Sequence, residues 1–480
     1  MNFLEVAPIL GLGAAIIATM SAAAWRRNSD VSLGVTLAGV VGSLALIVYS
    51  ASDTTVQSAG QSLFLIRDAA ATTGWWIALL AAVPLAITGR AWIAKNGLDD
   101  FEEYQLLLLL STFGVLVLAS ANHFATLFLG IEITSVALYG LVSFRFQRSE
   151  SLIAGSKYLL LGAVSSAILL FGIALVYADT GSLSLSLSSA PSPTAAIGLL
   201  LILAAVSFKL ALAPFHLWSP DVYADAPAPG TAILASIAKV GAAIVAWRLF
   251  CPLIPTSDPI HWGLLGLSVL SMVVGALYGL TQTRVRRILA GSSMVHLGTL
   301  LLALQQAYAP NSTTLLDLQA QAAQTVGLYL AAYVASGVCV YGGLSLLGTK
   351  TKEIEEISDL RGVFQRQPAL ALVIGVGLLS MLGMPFTAGF IGKLSVLTAT
   401  IGQLPWGILL TVIAAAIVSA AFYLRILVAL FQPSEKEADH ELDAPGSTLV
   451  LVAVALLIVI GGVVPLPIGG PVPVAVVAAP

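Results

Sequence analysis

Apolar runs of about 20 residues recur from one end of this chain to the other, each long enough to cross a bilayer core of about 30 Å. In lipid such a run must satisfy its own backbone N–H and C=O groups, and a single segment does so only as an α-helix. Fourteen spans are expected, near 3–25, 31–51, 73–94, 103–120, 122–144, 151–178, 194–217, 228–250, 261–282, 286–307, 318–348, 368–402, 405–430 and 446–466. The longest polar stretches between them, 349–367 and 432–445, leave no room for a soluble domain. Only 9% of the 480 residues are charged and 58% are hydrophobic, whereas soluble domains carry roughly a quarter charged. The expected fold is therefore an all-α polytopic membrane protein, with residues 1–480 forming a single transmembrane domain in the lipid bilayer.

Several functions are excluded or left without support. A net charge of −3 gives no argument for a nucleic-acid partner, and none is expected. Cys251 and Cys339 have no CxxC or Cys/His spacing around them and cannot hold zinc or an iron–sulfur cluster alone. Neither GxGxxG after a strand nor GxxxxGK[ST] is present, so a nucleotide site is unsupported. The first apolar run lacks a basic leader, and a retained span is expected there.

Orientation follows from the basic residues, which are retained on the cytoplasmic side. With the N-terminus outside, fourteen lysines and arginines fall in inner loops: Arg26, Arg27, Arg90, Lys95, Arg145, Arg148, Arg284, Arg286, Arg287, Lys350, Lys352, Arg361, Arg366 and Lys436. The outer loops hold two, Arg67 and Arg248. Both termini are expected outside, in a bacterial inner membrane.

Two spans are broken by proline, the seventh at Pro214 in "FKLALAPFHLW" and the twelfth at Pro385 in "LLSMLGMPFTAGFIGK". Proline removes one helical hydrogen bond and blocks another. In a membrane the freed carbonyls are tolerated only where protein or a watery cavity meets them. Five spans separate the breaks, and an odd offset inverts the second copy. Two inverted five-helix repeats are expected, about 102–250 and about 261–430, flanked by 1–94 and 446–466. Matching breaks in inverted halves point to a transport path near the midplane.

Lys157, Lys209, Lys239, Lys393 and Arg425 all fall within spans, and Glu132 is the one acid near the middle of a span. An ionised group at mid-membrane costs about 2.5–3.5 kcal/mol on insertion scales. These charges must therefore face the bundle interior, pair together or contact water. Lysine suits a proton relay because burial destabilises its charged form and a nearby carboxylate restores it. The alternatives are structural. Glu132 could brace Lys157 or Lys209 as an ion pair, Lys157 could snorkel to the surface, and Arg425 is expected to anchor an interface. His216, just past the first break, and His296 in "SSMVHLG" could each bridge buried water between lysines or simply pack as hydrogen-bonded side chains. Ser207, Ser292 and Ser293 could hold water in the same way. Tyr223, Asp221 and Asp225 read as a turn with a cap for span eight.

The stretch "FKLALAPFHLWSPDVYADAPAPGTAILASIAKVGA" (208–242) resembles the antiporter-like membrane subunits of respiratory complex I. Its "PDVY…APAP" form is most similar to subunit N. Further matching stretches are "SKYLLLGAVSSAILLFG" (156–172), "QTRVRRILAGSSMVHLG" (282–298), "MLGMPFTAGFIGKL" (381–394) and "YLRILVALF" (423–431). The resemblance implies that Glu132 is a coupling glutamate and Lys209 its partner. It makes Lys239 a central lysine, Lys393 the residue exchanging protons with the outer side, and Lys157 an additional basic group. Two positions depart from the family pattern: Gly291 stands where tyrosine is usual, and Phe386 where a second proline is often found.

The implied function is proton translocation within an NADH:quinone oxidoreductase, alongside K-like and M-like membrane neighbours. This chain would bind no cofactor, with FMN, iron–sulfur clusters, NADH and quinone held by partner subunits. The rival expectation is a subunit of a multi-subunit cation/proton antiporter, which shares the buried lysines. A third is a proton channel or membrane scaffold without energy coupling.

Overall fold

A computed structural model describes residues 3–51, 63–186, 191–253, 258–305, 315–348, 353–401, 404–434 and 444–464. Among these residues the chain is helical, with only isolated β-bridges between loops. The helices run α1 (Phe3–Trp25), α2 (Ser29–Ala51), α3 (Ala69–Lys95), α4 (Phe101–Ala119), α5 (Phe124–Val142) and α6 (Ser149–Thr180). They continue through α7 (Pro193–Leu210), α8 (Ser219–Asp225), α9 (Ala228–Ala235), α10 (Ile237–Phe250), α11 (Asp258–Thr281) and α12 (Val285–Leu304). The chain closes with α13 (Leu315–Leu346), α14 (Val363–Arg366), α15 (Pro368–Leu382), α16 (Ala388–Thr400), α17 (Trp406–Phe431) and α18 (Pro445–Val463).

Thirteen segments are long and apolar enough to cross a membrane, and the short apolar helices α15 and α16 occupy the twelfth expected run. The protein is a multi-pass membrane protein. Burial separates centre from rim: the apolar window of α12 is 94% buried and those of α9–α10 and α13 are 83% buried, against 28% for α1, α2 and α18. The central helices therefore carry whatever polar path the molecule has.

Both expected breaks are present, and both begin before the proline. α7 stops at Leu210, Ala211 turns left-handed at φ 58°, and the Ala213–Pro214 bond is cis. α15 stops at Leu382, followed by Gly383 at φ 86° and Phe386 at φ 67°. The residue preceding proline is pushed out of the helical region, so the chain leaves the helix early. Phe386 stands where a second proline is often found, yet the proline ring fixes φ near −65° and could not adopt this turn. At Gly383 a side chain would be both strained and crowded, since a Cβ would lie 2.9 Å from Lys393 Cδ.

A third interruption was not foreseen. Span eight divides at Ser236 (φ −117°, ψ −81°), between α9 and α10 and three residues before Lys239. Its hydroxyl donates to the Ala232 carbonyl one turn back, a competition with the backbone ladder that bends helices.

Candidate functional site

Lys209 lies in the last turn of α7 and donates from Nζ to Ser135 Oγ on α5 at 2.7 Å. Its ammonium stands 5.5 Å from the Phe208 ring centroid and 5.9 Å from that of Tyr158, where the ring faces attract a desolvated cation. Ser135 is about one helical turn along α5 from Glu132. Glu132 is half-buried and accepts a hydrogen bond from Ser166 of α6. Among the described residues it forms no salt bridge with Lys157 or Lys209, although it lies within electrostatic reach of Lys209.

Lys239 is wholly buried. It donates to the Lys209 carbonyl at 2.8 Å and lies 5.1 Å from the Trp218 ring centroid. Lys393, on α16, donates to the carbonyls of Met381 and Leu382 at 2.8 and 2.9 Å. Each ammonium thus caps a half-helix whose terminal carbonyls the break left without helical partners. The negative end of the helix dipole favours a cation at both places. The two broken spans therefore use the same device, and the proline breaks and the buried lysines form one structural feature.

Lys157 stands apart from this array. Half-exposed, it pairs with Asp221, which also accepts from Arg287 at 3.0 Å. The expectation that Asp221 and Asp225 form a turn and a cap is corrected here. Both lie within α8, while Pro227 precedes α9 as its N-cap. Asp225 accepts from Arg284 at 3.4 Å. Burial raises the Asp225 carboxyl pKa, and the neighbouring Arg284 and Arg287 oppose that rise. Arg425 donates to the carbonyls of Leu280 and Gln282 at 2.8 and 3.0 Å, tying α17 to the end of α11.

His296, on the most buried helix, uses both ring nitrogens: Nδ1 lies 2.8 Å from the Tyr329 hydroxyl and Nε2 3.0 Å from that of Tyr423. Ser292 joins Tyr423, and Ser293 lies 2.8 Å from the Tyr333 hydroxyl. His296 is also within electrostatic reach of Lys393. His216 is half-buried in the turn after α7, and its Nδ1 has no hydrogen-bond partner among the described residues. The Ser207 hydroxyl has none there either. Tyr223 is fully buried, edge-on to Trp218 and Tyr341.

Sequence reasoning missed the hydroxyls of Ser135, Ser166, Tyr329, Tyr333 and Tyr423. One signal was present: Tyr329 and Tyr333 are four apart in α13, which puts them on one face. The departure at Gly291 also has a structural reason. A Cβ there would sit 2.7 Å from the Gly275 carbonyl, so α12 and α11 meet backbone to backbone. Among the described residues no group of three or more His, Cys, Asp or Glu side chains is placed to hold a metal ion.

Residues 121–419 match the family model described as NADH:quinone oxidoreductase/Mrp antiporter, TM. The chain is 35% identical over 469 residues to NADH-quinone oxidoreductase subunit N of Methylococcus capsulatus, covering 96% of this chain and 92% of that protein. It superposes on a chain of respiratory complex I from Thermus thermophilus, solved with bound aureothin, at TM-score 0.82 and 30% identity, over 96% of this chain and all of that one (100%). The fold is shared more distantly with a chain of the Mrp complex from Dietzia, at TM-score 0.81 and 19% identity, over 96% and 95% of the two chains. With more than half its length matched by the family model and a relative of this likeness aligned nearly end to end, the chain belongs to the NADH:quinone oxidoreductase/Mrp antiporter transmembrane family.

Proposed function

We propose that this chain is a proton-translocating subunit N of an NADH:quinone oxidoreductase, converting the energy of electron transfer in partner subunits into proton movement across the membrane. The 35% identical relative bearing that name and the 30% identical complex I chain support the choice within the family. On this reading the neighbours are K-like and M-like membrane subunits, and FMN, iron–sulfur clusters, NADH and quinone belong to other chains. The membrane is the bacterial inner membrane, with both termini outside. The halves at about 102–250 and about 261–430 are inverted copies, as the breaks of α7 and α15 support.

The observation that carries the reading is how the interior lysines are held. Lys209, Lys239 and Lys393 each bind a hydroxyl or carbonyl oxygen and, among the described residues, no carboxylate. A lysine in a buried ion pair cannot lose its proton without stranding a buried carboxylate. These three can, because their partners are neutral. Glu132 then acts from a distance: a change in its charge or position alters the proton affinity of Lys209, and the effect passes to Lys239 and towards Lys393. His296 supports the path with its hydrogen bonds to Tyr329 and Tyr423, His216 supports it from the turn after the first break, and Lys157 adjusts the field from the Asp221 side.

Glu132→Ala and Lys239→Ala are each expected to reduce NADH-driven proton uptake into membrane vesicles severely while the complex still assembles. Normal proton-to-electron stoichiometry in both variants overturns the assignment. Isolation of the chain without flavin- and cluster-bearing subunits favours the antiporter reading instead.

A further inference from the structure

We propose that Ser135 and Ser166 are positioning residues that hold Lys209 and Glu132 apart, keeping this charge pair open until both hydroxyl contacts are given up. The inference rests on the proton-translocation reading above and names the groups that set the state of its first pair.

Three helices meet at the pair: Glu132 and Ser135 belong to α5, Ser166 to α6 and Lys209 to α7. Glu132 and Ser135 are three residues apart, so they leave the same face of α5 with Cβ atoms about 5–6 Å apart. The Lys209 ammonium, 2.7 Å from Ser135 Oγ, therefore stands about one turn from the carboxylate it would pair with. It does not reach that carboxylate. Among the described residues the hydrogen-bond partner of Lys209 is Ser135, and that of Glu132 is Ser166. Both charged side chains have several rotatable bonds, so closing the pair needs new rotamers and no helix shift.

The direction of each hydroxyl is fixed, because a serine has one O–H to give. Ser135 gives its own to the Ile131 carbonyl one turn back, which leaves its lone pairs for the ammonium. Ser166 gives its own to Glu132 Oε1. Each ion thus keeps one charge-assisted hydrogen bond while the two stay apart. Closing exchanges those two bonds for one direct contact and breaks no covalent bond to hydrogen. In the closed arrangement Lys209 cannot lose its proton without stranding the carboxylate. In the open one its partner is neutral, and the proton can leave. The two serines therefore set how often the first lysine is free to release.

Serines that bond back to a carbonyl one turn earlier also occur as plain helix packing, and the test separates the two roles. The intact complex, reconstituted into vesicles, is treated with dicyclohexylcarbodiimide, which enters the membrane and activates carboxyl groups. Activated Glu132 either rearranges to the N-acylurea or, where the Lys209 amine touches it, forms an amide with loss of dicyclohexylurea. Mass spectrometry counts the two products. Ser135→Ala and Ser166→Ala are each expected to assemble and to raise the amide share by about threefold or more. NADH-driven proton uptake is expected to slow by about the same factor. Ser135→Thr and Ser166→Thr, which keep the hydroxyl, are expected to reverse most of both changes. Ser165→Ala, which removes a hydroxyl that donates to the Ala205 carbonyl at 3.4 Å, is expected to match the unmodified protein. If an alanine variant does not assemble, Ser135→Cys or Ser166→Cys takes its place, with a similar size and a weaker hydrogen-bonding group. An unchanged amide share in the assembled variants overturns the proposal, as does an equal rise in Ser165→Ala or a rise that leaves uptake native. Impaired Lys239→Ala with an unchanged amide share removes the serine role alone, whereas native Lys239→Ala removes the reading beneath it.

Discussion

Glu353 lies in the loop after α13, yet it is only 8% exposed. Its Oε2 accepts from Arg286 at 2.9 Å, its Oε1 accepts from the Trp92 indole at 3.2 Å, and Arg145 stands 3.6 Å away. Arg286 also donates to the Ala226 carbonyl. One carboxylate thus joins α3, the α5–α6 loop, α12 and the α8–α9 turn. Removing one partner of a buried pair strands the other, at about 3–5 kcal/mol. Glu353→Ala is therefore expected to lower the thermal midpoint of the purified protein well beyond Arg27→Ala. The Arg27–Glu103 pair has side chains 60% and 40% exposed, and such surface pairs contribute about 0–1 kcal/mol. Equal shifts in the two variants would refute the central role of Glu353. The buried lysines were legible in the sequence because a charge inside an apolar run has few places to go. Their partners were not: serine and tyrosine leave hydropathy almost unchanged, so Ser135, Ser166 and Tyr423 raised no signal as acceptors or donors. Asp221 was misread because its partners, Lys157 and Arg287, are 64 and 66 residues away in sequence.

At the scale of helices, proline alone does not locate the breaks. Pro84 sits inside α3, which runs unbroken from Ala69 to Lys95. At the α7 and α15 breaks the freed carbonyls are met by lysines, and it was the pairing of proline with lysine that made those breaks legible. The Ser236 interruption has no proline and left no mark in the sequence. What holds the second break closed is a backbone approach: a Cβ on Gly389 would lie 1.9 Å from the Ser380 carbonyl. The Gly389 N–H also donates to Ser380 Oγ at 3.1 Å, and Lys393 reaches Met381 and Leu382 across the same junction. Gly389→Ala is expected to push α16 from α15, weaken both Lys393 contacts and lower stability by about 1–3 kcal/mol. Proton uptake should fall with it. Gly407→Ala is the control, because nothing lies within 4 Å of the added Cβ and the change should be neutral or slightly stabilising. Similar thermal midpoints for the two variants would show that the junction tolerates separation.

Across the whole molecule, contacts between loops test the parity of the span count. Arg90 pairs with Asp30, Arg27 with Glu103, Arg145 with Glu353, and Arg284 with Glu356. Every pair joins loops that fourteen spans put on the basic side. On the other side Arg248 grips Asp68 at 2.7 and 2.9 Å, and His123 bridges to Ser184. One span too many or too few between the partners of any of these pairs would set them on opposite faces of the membrane. Lys350, Lys352 and Lys436, counted with the inner loops, lie outside the described residues. On the proposed orientation the remaining basic residues lie on the cytoplasmic side, where loops rich in lysine and arginine are retained. Cys251 and Cys339 are buried, so cysteines introduced at exposed loop positions report alone. Ser182→Cys, in the α6–α7 loop, is expected to react in intact cells with a maleimide that cannot cross the membrane. Thr283→Cys, between α11 and α12, is expected to react only once the membrane is opened. The reverse pattern would put both termini in the cytoplasm and point the proposed path from Lys239 to Lys393 inward instead of outward.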